Sequence, residues 1–287
     1  MHQANPICLI AESGSDIDAR TAARLGITIV PMHVAFDGET LDDGAFPVRR
    51  IVDDHRATDR VPTTSGCTPE DFARTFDALH AARPDAHLLY LAYSAVTTCS
   101  YQSAVLAAQG RDYVTMLDTR QVSAGQCAVV TAVAELMQRQ PGLSLAQVLD
   151  EARDRIDRVR MCFMPDNLQF LRAGGRVSNA AAMGARILSL HPCIELREGR
   201  LVATRKYRGK MQKLVHTLIT DYSRQYDLEK DCLWLVCTID LADAVRQAAE
   251  AAARECGFQQ VRWVEAGGVI TTHGGPGAFG LAGFARK

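Results

Sequence analysis

Residues 87–117 read HLLYLAYSAVTTCSYQSAVLAAQGRDYVTML. This stretch decides the fold class, because its hydrophobic period changes twice. His87 to Ala92 is a short, nearly continuous apolar run, the pattern of a strand buried on both faces. Ser94 to Ser100 carries small and hydroxyl side chains, and Ser100 to Gly110 reads as a helix stopped by glycine. Tyr113 to Leu117 is a second strand. Strand, helix and strand in this order form a βαβ unit, which builds a parallel sheet.

Working outward, the same alternation holds in both directions. Ile7 to Ala11 is a strand-like run that ends in the polar turn Glu12-Ser13-Gly14-Ser15-Asp16. Ile27 to Phe36 reads as one strand, followed by an Asp37-Gly38 turn. Thr68-Pro69-Glu70-Asp71 opens a helix with a Thr cap, Pro in the first position and acids in the first turn. Phe72, Phe76 and Leu79 of that helix share a face. Gly125 to Met137 is a further helix. Ser144 and Gln147 form a capping box for another, which carries its apolar side chains on one side.

Near Met161 the pattern changes. Asp166 to Leu171 is a short helix stopped by Gly174-Gly175. Ile194 to Leu196, a Glu198-Gly199 turn and Leu201 to Thr204 read as an antiparallel hairpin. A helix from about Lys210 to Tyr226, a strand Cys232 to Ile239, a helix Leu241 to Cys256 and a strand Val261 to Val264 follow. The expectation is a two-domain α/β fold. Residues 1–160 form an N-terminal domain on a mainly parallel sheet, and residues 161–287 a mixed-sheet α/β domain.

Composition narrows the function classes. The 287 residues are 47% hydrophobic and 23% charged, ordinary for a chain with a core. Lys+Arg 32 against Asp+Glu 33 leaves a net charge of -1, so no global field recruits nucleic acid or anionic membrane. No apolar stretch approaches the ~20 residues that span a bilayer. The polar start, Met1 to Pro6, does not read as a secretory leader, and a cytoplasmic address is expected. The nine cysteines are scattered, without a Cys-x-x-Cys pair, which points to reduced thiols and no structural metal.

Three polar clusters stand where open α/β sheets place ligands, at strand ends. They are Thr63-Thr64-Ser65-Gly66, Ser94 to Ser100, and Thr271-Thr272-His273-Gly274-Gly275-Pro276-Gly277. None holds a carboxylate. Hydroxyls with one imidazole suit an anion such as a carboxylate. Each cluster taken alone reads equally well as helix caps or a structural glycine turn. No Gly-x-Ser-x-Gly elbow accompanies His273-Gly274-Gly275, and no Walker lysine or Gly-x-Gly-x-x-Gly spacing supports a nucleotide. Two basic segments, Arg172 to Arg176 and Arg205 to Lys210, read either as a solvated face or as an approach to a ligand.

In order and spacing these segments resemble the DegV family over essentially the whole length. The matching stretches are Glu12 to Asp16, Thr64 to Thr68, Ser94 to Ala104 with an intact Tyr101-Gln102-Ser103-Ala104, and Asp118 to Gly125. Leu168 to Ser178, Lys206 to Lys210 and Thr272 to Gly280 complete the set. The resemblance implies a long-chain fatty acid between two domains, bound without a cofactor or metal. It places the carboxylate on Thr64, Thr98 and His273, with Ser65, Ser94, Arg176 and Arg208 in support. It also implies a partner, a separate fatty acid kinase to which the carboxylate is presented, and hence a carrier rather than an enzyme.

The chain departs from the family pattern beside the site. Gly66 and Cys67 stand for Gln and Pro, Ala95 for Ser, Thr98 for Ser and Cys99 for Gly, so a thiol-bearing pocket is one reading. The competing classes are an acyl- or carboxylate-processing enzyme, with Ser65 or Cys67 and His273 as its pair, and a lipid-responsive regulatory module.

Overall fold

The computed structural model describes residues 6–177 and 190–287. Ser178, the end of one family segment, lies outside the described residues.

A four-stranded sheet holds β1 (Ile7–Glu12), β2 (Ile27–Val30), β6 (His87–Ala92) and β7 (Val114–Asp118) in the order β2-β1-β6-β7. Every pairing in it is parallel. Beside it lies a small antiparallel sheet of β3 (His33–Phe36), β4 (Glu39–Asp42) and β5 (Thr63–Ser65). The expected single strand over 27–36 is thus two, in two sheets. The break falls at Pro31, which has no N–H to give to a ladder.

Six strands form the third sheet: β8 (Val159–Met164), β9 (Leu190–Arg197), β10 (Arg200–Arg208), β11 (Cys232–Cys237), β12 (Gln260–Glu265) and β13 (Phe279–Phe284). Their order is β10-β9-β8-β13-β11-β12, and only β11–β12 is parallel. Strand β13 has no counterpart in the sequence reading, whose last strand is Val261 to Val264. Glycine at 280 is required by closeness: a β-carbon on Gly280 would stand 2.7 Å from the Cys162 carbonyl oxygen.

The helices are α1 (Ala19–Leu25), α2 (Arg49–Thr58), α3 (Pro69–Ala82), α4 (Ser100–Ala107), α5 (Ser123–Arg139), α6 (Leu145–Arg158), α7 (Gln169–Gly174), α8 (Met211–Gln225), α9 (Asp243–Glu255) and α10 (Gly268–Gly274). The Thr68 cap of α3 and the capping box of α6 form as their sequences direct, and Asp71 completes a box at Thr68 as well. Helix α5 is buried along most of its length, from Ser123 to Ala134. A helix apolar all round belongs inside, and α5 packs both on β1 and β6 and on β8, β11 and β13. One core therefore runs continuously from Leu9 and Leu91 through Val129 to Val236 and Ala282. The far face of the six-stranded sheet packs on α8 and α9, and the far face of the parallel sheet on α3 and α4. The chain enters the six-stranded sheet at Val159, directly from α6.

Candidate functional site

The three polar clusters meet at one pocket with a mostly apolar lining. Its elements differ from the sequence expectation. Thr63 to Ser65 are strand β5, and Thr271 to His273 lie on helix α10 rather than in a glycine loop. Glycine is a poor helix former, so the Gly267-Gly268 start hid α10.

Thr64, Ser65, Thr98, Arg176 and His273 all line the cavity. The Thr64 hydroxyl lies 2.8 Å from His273 Nε2. His273 Nδ1 is buried without a partner, its ring pressed on Gly174 so tightly that a β-carbon there would sit 2.2 Å from Nδ1. Burial, and then the nearby Arg176 charge, push the imidazole down to about 4. The ring is therefore neutral at pH 7. When Nε2–H donates to Thr64, the threonine proton is released for a ligand.

The first two loops touch. The Cys67 backbone N–H donates to Ser100 Oγ, itself 3.2 Å from Thr98 Oγ1. No side chain fits at Gly66, where a β-carbon would stand 2.4 Å from Thr98 Oγ1. Gly66 thus leaves the room that the Thr98 and Ser100 hydroxyls occupy.

Two of the supporting residues lie elsewhere. Ser94 is fully buried, its hydroxyl donating to the Gly199 carbonyl, and it pins the β9–β10 turn to the second loop. Arg208 is exposed at the end of β10 and does not line the cavity. Nor do the two cysteines. Cys67 is fully buried, its thiol donating weakly toward Val30 and pushed far up by burial, while Cys99 is exposed. Neither cysteine beside the site therefore puts its thiol into the cavity; the cysteine in the described lining is Cys237 of β11.

Beyond the hydroxyls the wall is apolar: Met161 and Phe163 of β8, Leu201 of β10, Val236 of β11 and Phe279 of β13, closed from the other side by Met32 and Tyr93. These residues were invisible as a set in the sequence, because they come from six separate segments. Among the described residues no carboxylate lines the cavity.

The sequence reading also passed over three buried carboxylates just behind the site. Glu12 accepts hydrogen bonds from the Tyr90 hydroxyl, from Gln126 Nε2 at 2.8 Å and from the Tyr93 N–H at 3.0 Å. It thereby ties the start of the second loop to β1, and burial raises its pKa. Asp16 and Asp43 hold the N-terminus of α10, through the Gly267 N–H at 2.8 Å and the Gly268 N–H at 2.7 Å. Among the described residues there is no cluster of three His, Cys, Asp or Glu suited to a metal, and no helix long and apolar enough to cross a membrane.

A mostly apolar pocket with neutral donors and, among the described residues, one guanidinium at its polar end defines a class of protein. It accommodates a long apolar molecule with an anionic end. Comparison with known proteins then gives the family. The family described as "Uncharacterised protein, DegV family" matches residues 6–286. A DegV domain-containing protein of Deinococcus radiodurans is 32% identical over 282 residues, covering 96% of this chain and 97% of its own. The chain belongs to the DegV family. Among solved structures, a DegV family protein from Thermus thermophilus, described by its fatty acid binding, superposes with a TM-score of 0.87 at 30% identity over 98% of this chain and 100% of its own. A DegV lipid binding protein from Thermotoga maritima, 24% identical, has the same fold with a TM-score of 0.84 over 98% and 100% of the two chains.

Proposed function

We propose that this protein binds one long-chain fatty acid, its carboxylate on Thr64, Thr98 and His273 and its tail along the apolar wall between two lobes that divide near residue 160. The observation that carries the reading is the polarity of the cavity: hydroxyls, a neutral imidazole and Arg176 at one end, mostly apolar side chains elsewhere, and no carboxylate among the described lining residues. The Thermus relative adds support, since fatty acid binding is what it is described by. Burying about fifteen methylenes at ~0.8 kcal/mol each yields a gross gain of about 12 kcal/mol before association entropy is subtracted. That gain tolerates a buried carboxylate whose lone pairs meet two or three donors.

A carrier accounts for the site better than an enzyme does. Thr64 and His273 stand at the distance of a nucleophile and its base, but no group orients His273 Nδ1, and an imidazole held near 4 is a weak base. Cys67 is buried and protonated. We read the protein as holding the carboxylate for a separate cytoplasmic kinase, because the cavity offers no carboxylates to bind magnesium and nucleotide phosphates. The large apolar side chains exposed among the described residues, Val96, Val105 and Leu106, all fall in the second loop and in α4, where such a partner would dock.

Denaturing extraction of protein purified without added lipid, followed by mass spectrometry, tests the reading. A single fatty acid of about fourteen to eighteen carbons per chain is expected, enough for the hydrophobic gain above. A stoichiometric nucleotide, or an empty protein that takes up no added fatty acid, overturns it. Loaded protein incubated with ATP and magnesium alone should form no acyl phosphate.

A further inference from the structure

Asp16 and Asp43 lie outside the cavity lining, yet they share one helix with it. Helix α10 has only seven residues, from Gly268 to Gly274, and carries His273 in its last turn. A helix this short has no stability of its own, so its position is whatever its anchors impose. At about 1.5 Å per residue it is also short enough to pass a shift at one end to the other.

Its first backbone N–H groups lack partners within the helix, and two side chains from distant segments supply them. Asp16 follows β1 and accepts from the Gly267 N–H and from the Ser123 hydroxyl. Asp43 follows β4 and accepts from the Gly268 N–H. Both carboxylates reach to 3.4 Å from the point where a β-carbon on Gly267 would lie, so they face one another across that residue.

Both side chains are buried, and no basic side chain forms an ion pair with either among the described residues. Burial raises Asp43, and burial with the Asp43 charge raises Asp16 well above the ordinary range. Two such groups cannot both ionise at little cost, so burial and mutual repulsion oppose a doubly charged pair. Asp43 Oδ2 is buried without a partner. Two carboxylates on adjacent N–H groups fix both the height and the tilt of the helix.

We propose that Asp16 and Asp43 are positioning residues for the ligand headgroup: together they clamp the start of α10 and so set His273 against Thr64. The proposal rests on the fatty-acid reading for its affinity readout and on the histidine ring itself for an independent one.

The test uses the full chain, Asp43→Ala and Asp43→Asn, the fluorescent fatty acid cis-parinarate, and the ¹⁵N signals of the His273 ring, assigned with His273→Gln. Asp43→Ala should weaken cis-parinarate about tenfold, the equivalent of one lost hydrogen bond. It should also move the His273 ring signals toward those of a solvent-exposed imidazole. Asp43→Asn keeps the acceptor and the shape of a protonated carboxyl, and should restore both affinity and ring signals. Asp43→Ala with unchanged affinity and unchanged ring signals overturns the proposal. So does Asp43→Asn behaving as Asp43→Ala does. If Asp43→Ala does not fold, Gly268→Ala tests the contact from the helix side, since its β-carbon would stand 2.8 Å from both Asp43 Oδ1 and the Phe46 ring. Ring signals that stay in place in that variant refute the clamp. If the wild type takes up no cis-parinarate, the fatty-acid reading fails, while the ring signals still decide the clamp.

Discussion

The two ends of the cavity are built by opposite rules. The polar end is assembled from short segments that are each rich in one chemistry: β5, the loop before α4, and α10. The apolar wall takes one or two side chains from each of several strands of a sheet whose residues are otherwise ordinary core. Loss of a donor at the polar end removes a directional bond and leaves the fold in place. A change in the wall is felt by the core as well, because Val236 belongs at once to the cavity lining and to the continuous cluster around α5. Recognition at one end is therefore separable from stability, and at the other end it is not.

The harshest way to break this comparison is Val236→Asp. A carboxylate buried in the wall without a partner should lower stability by about 3–5 kcal/mol and abolish fatty-acid retention, seen together in thermal melting and lipid extraction. If binding is lost with stability intact, the wall is not core. At the polar end, Thr64→Val and Thr98→Val should each weaken fatty-acid binding by about 1–3 kcal/mol while the melting temperature holds, since a carboxylate lone pair loses its donor and the shape is kept. Equal losses of stability and affinity would erase the difference between the ends.

Acid titration probes the polar end through His273. Its folded pKa, about 4, lies below the ordinary 6.5, so between these values the unfolded chain binds the extra proton. Stability contributed by the neutral ring is thus full above pH 6.5, falls as the pH drops through this window, and is gone below about 4. Urea melts of the wild type and of His273→Gln across that range should differ in slope, and parallel curves would refute the neutral buried ring. The mildest change is Ser94→Ala. It should cost about 1 kcal/mol of stability by unpairing the Gly199 carbonyl and leave affinity unchanged, because Ser94 pins a turn rather than a ligand. Weakened binding at full stability would return Ser94 to the headgroup.

The sequence by itself determined the elements whose signals are local. The Thr68 cap, the Ser144 capping box, the apolar run His87 to Ala92 and the Glu198-Gly199 hairpin are each set by neighbours along the chain, and each forms where its residues direct. The hydroxyl clusters and His273 were legible for the same reason, since each is contiguous. What depends on contacts between remote segments was settled only in three dimensions. The Gly280 strand goes unread until β8 is seen against it, and α10 reads as a glycine turn until Asp16 and Asp43 supply its first bonds. Ser94 changes role because its hydroxyl meets a carbonyl 105 residues away. Local chemistry fixes which backbone shape is cheap. Burial and distant partners decide which side chains share a cavity, and no period or motif along the chain encodes that meeting.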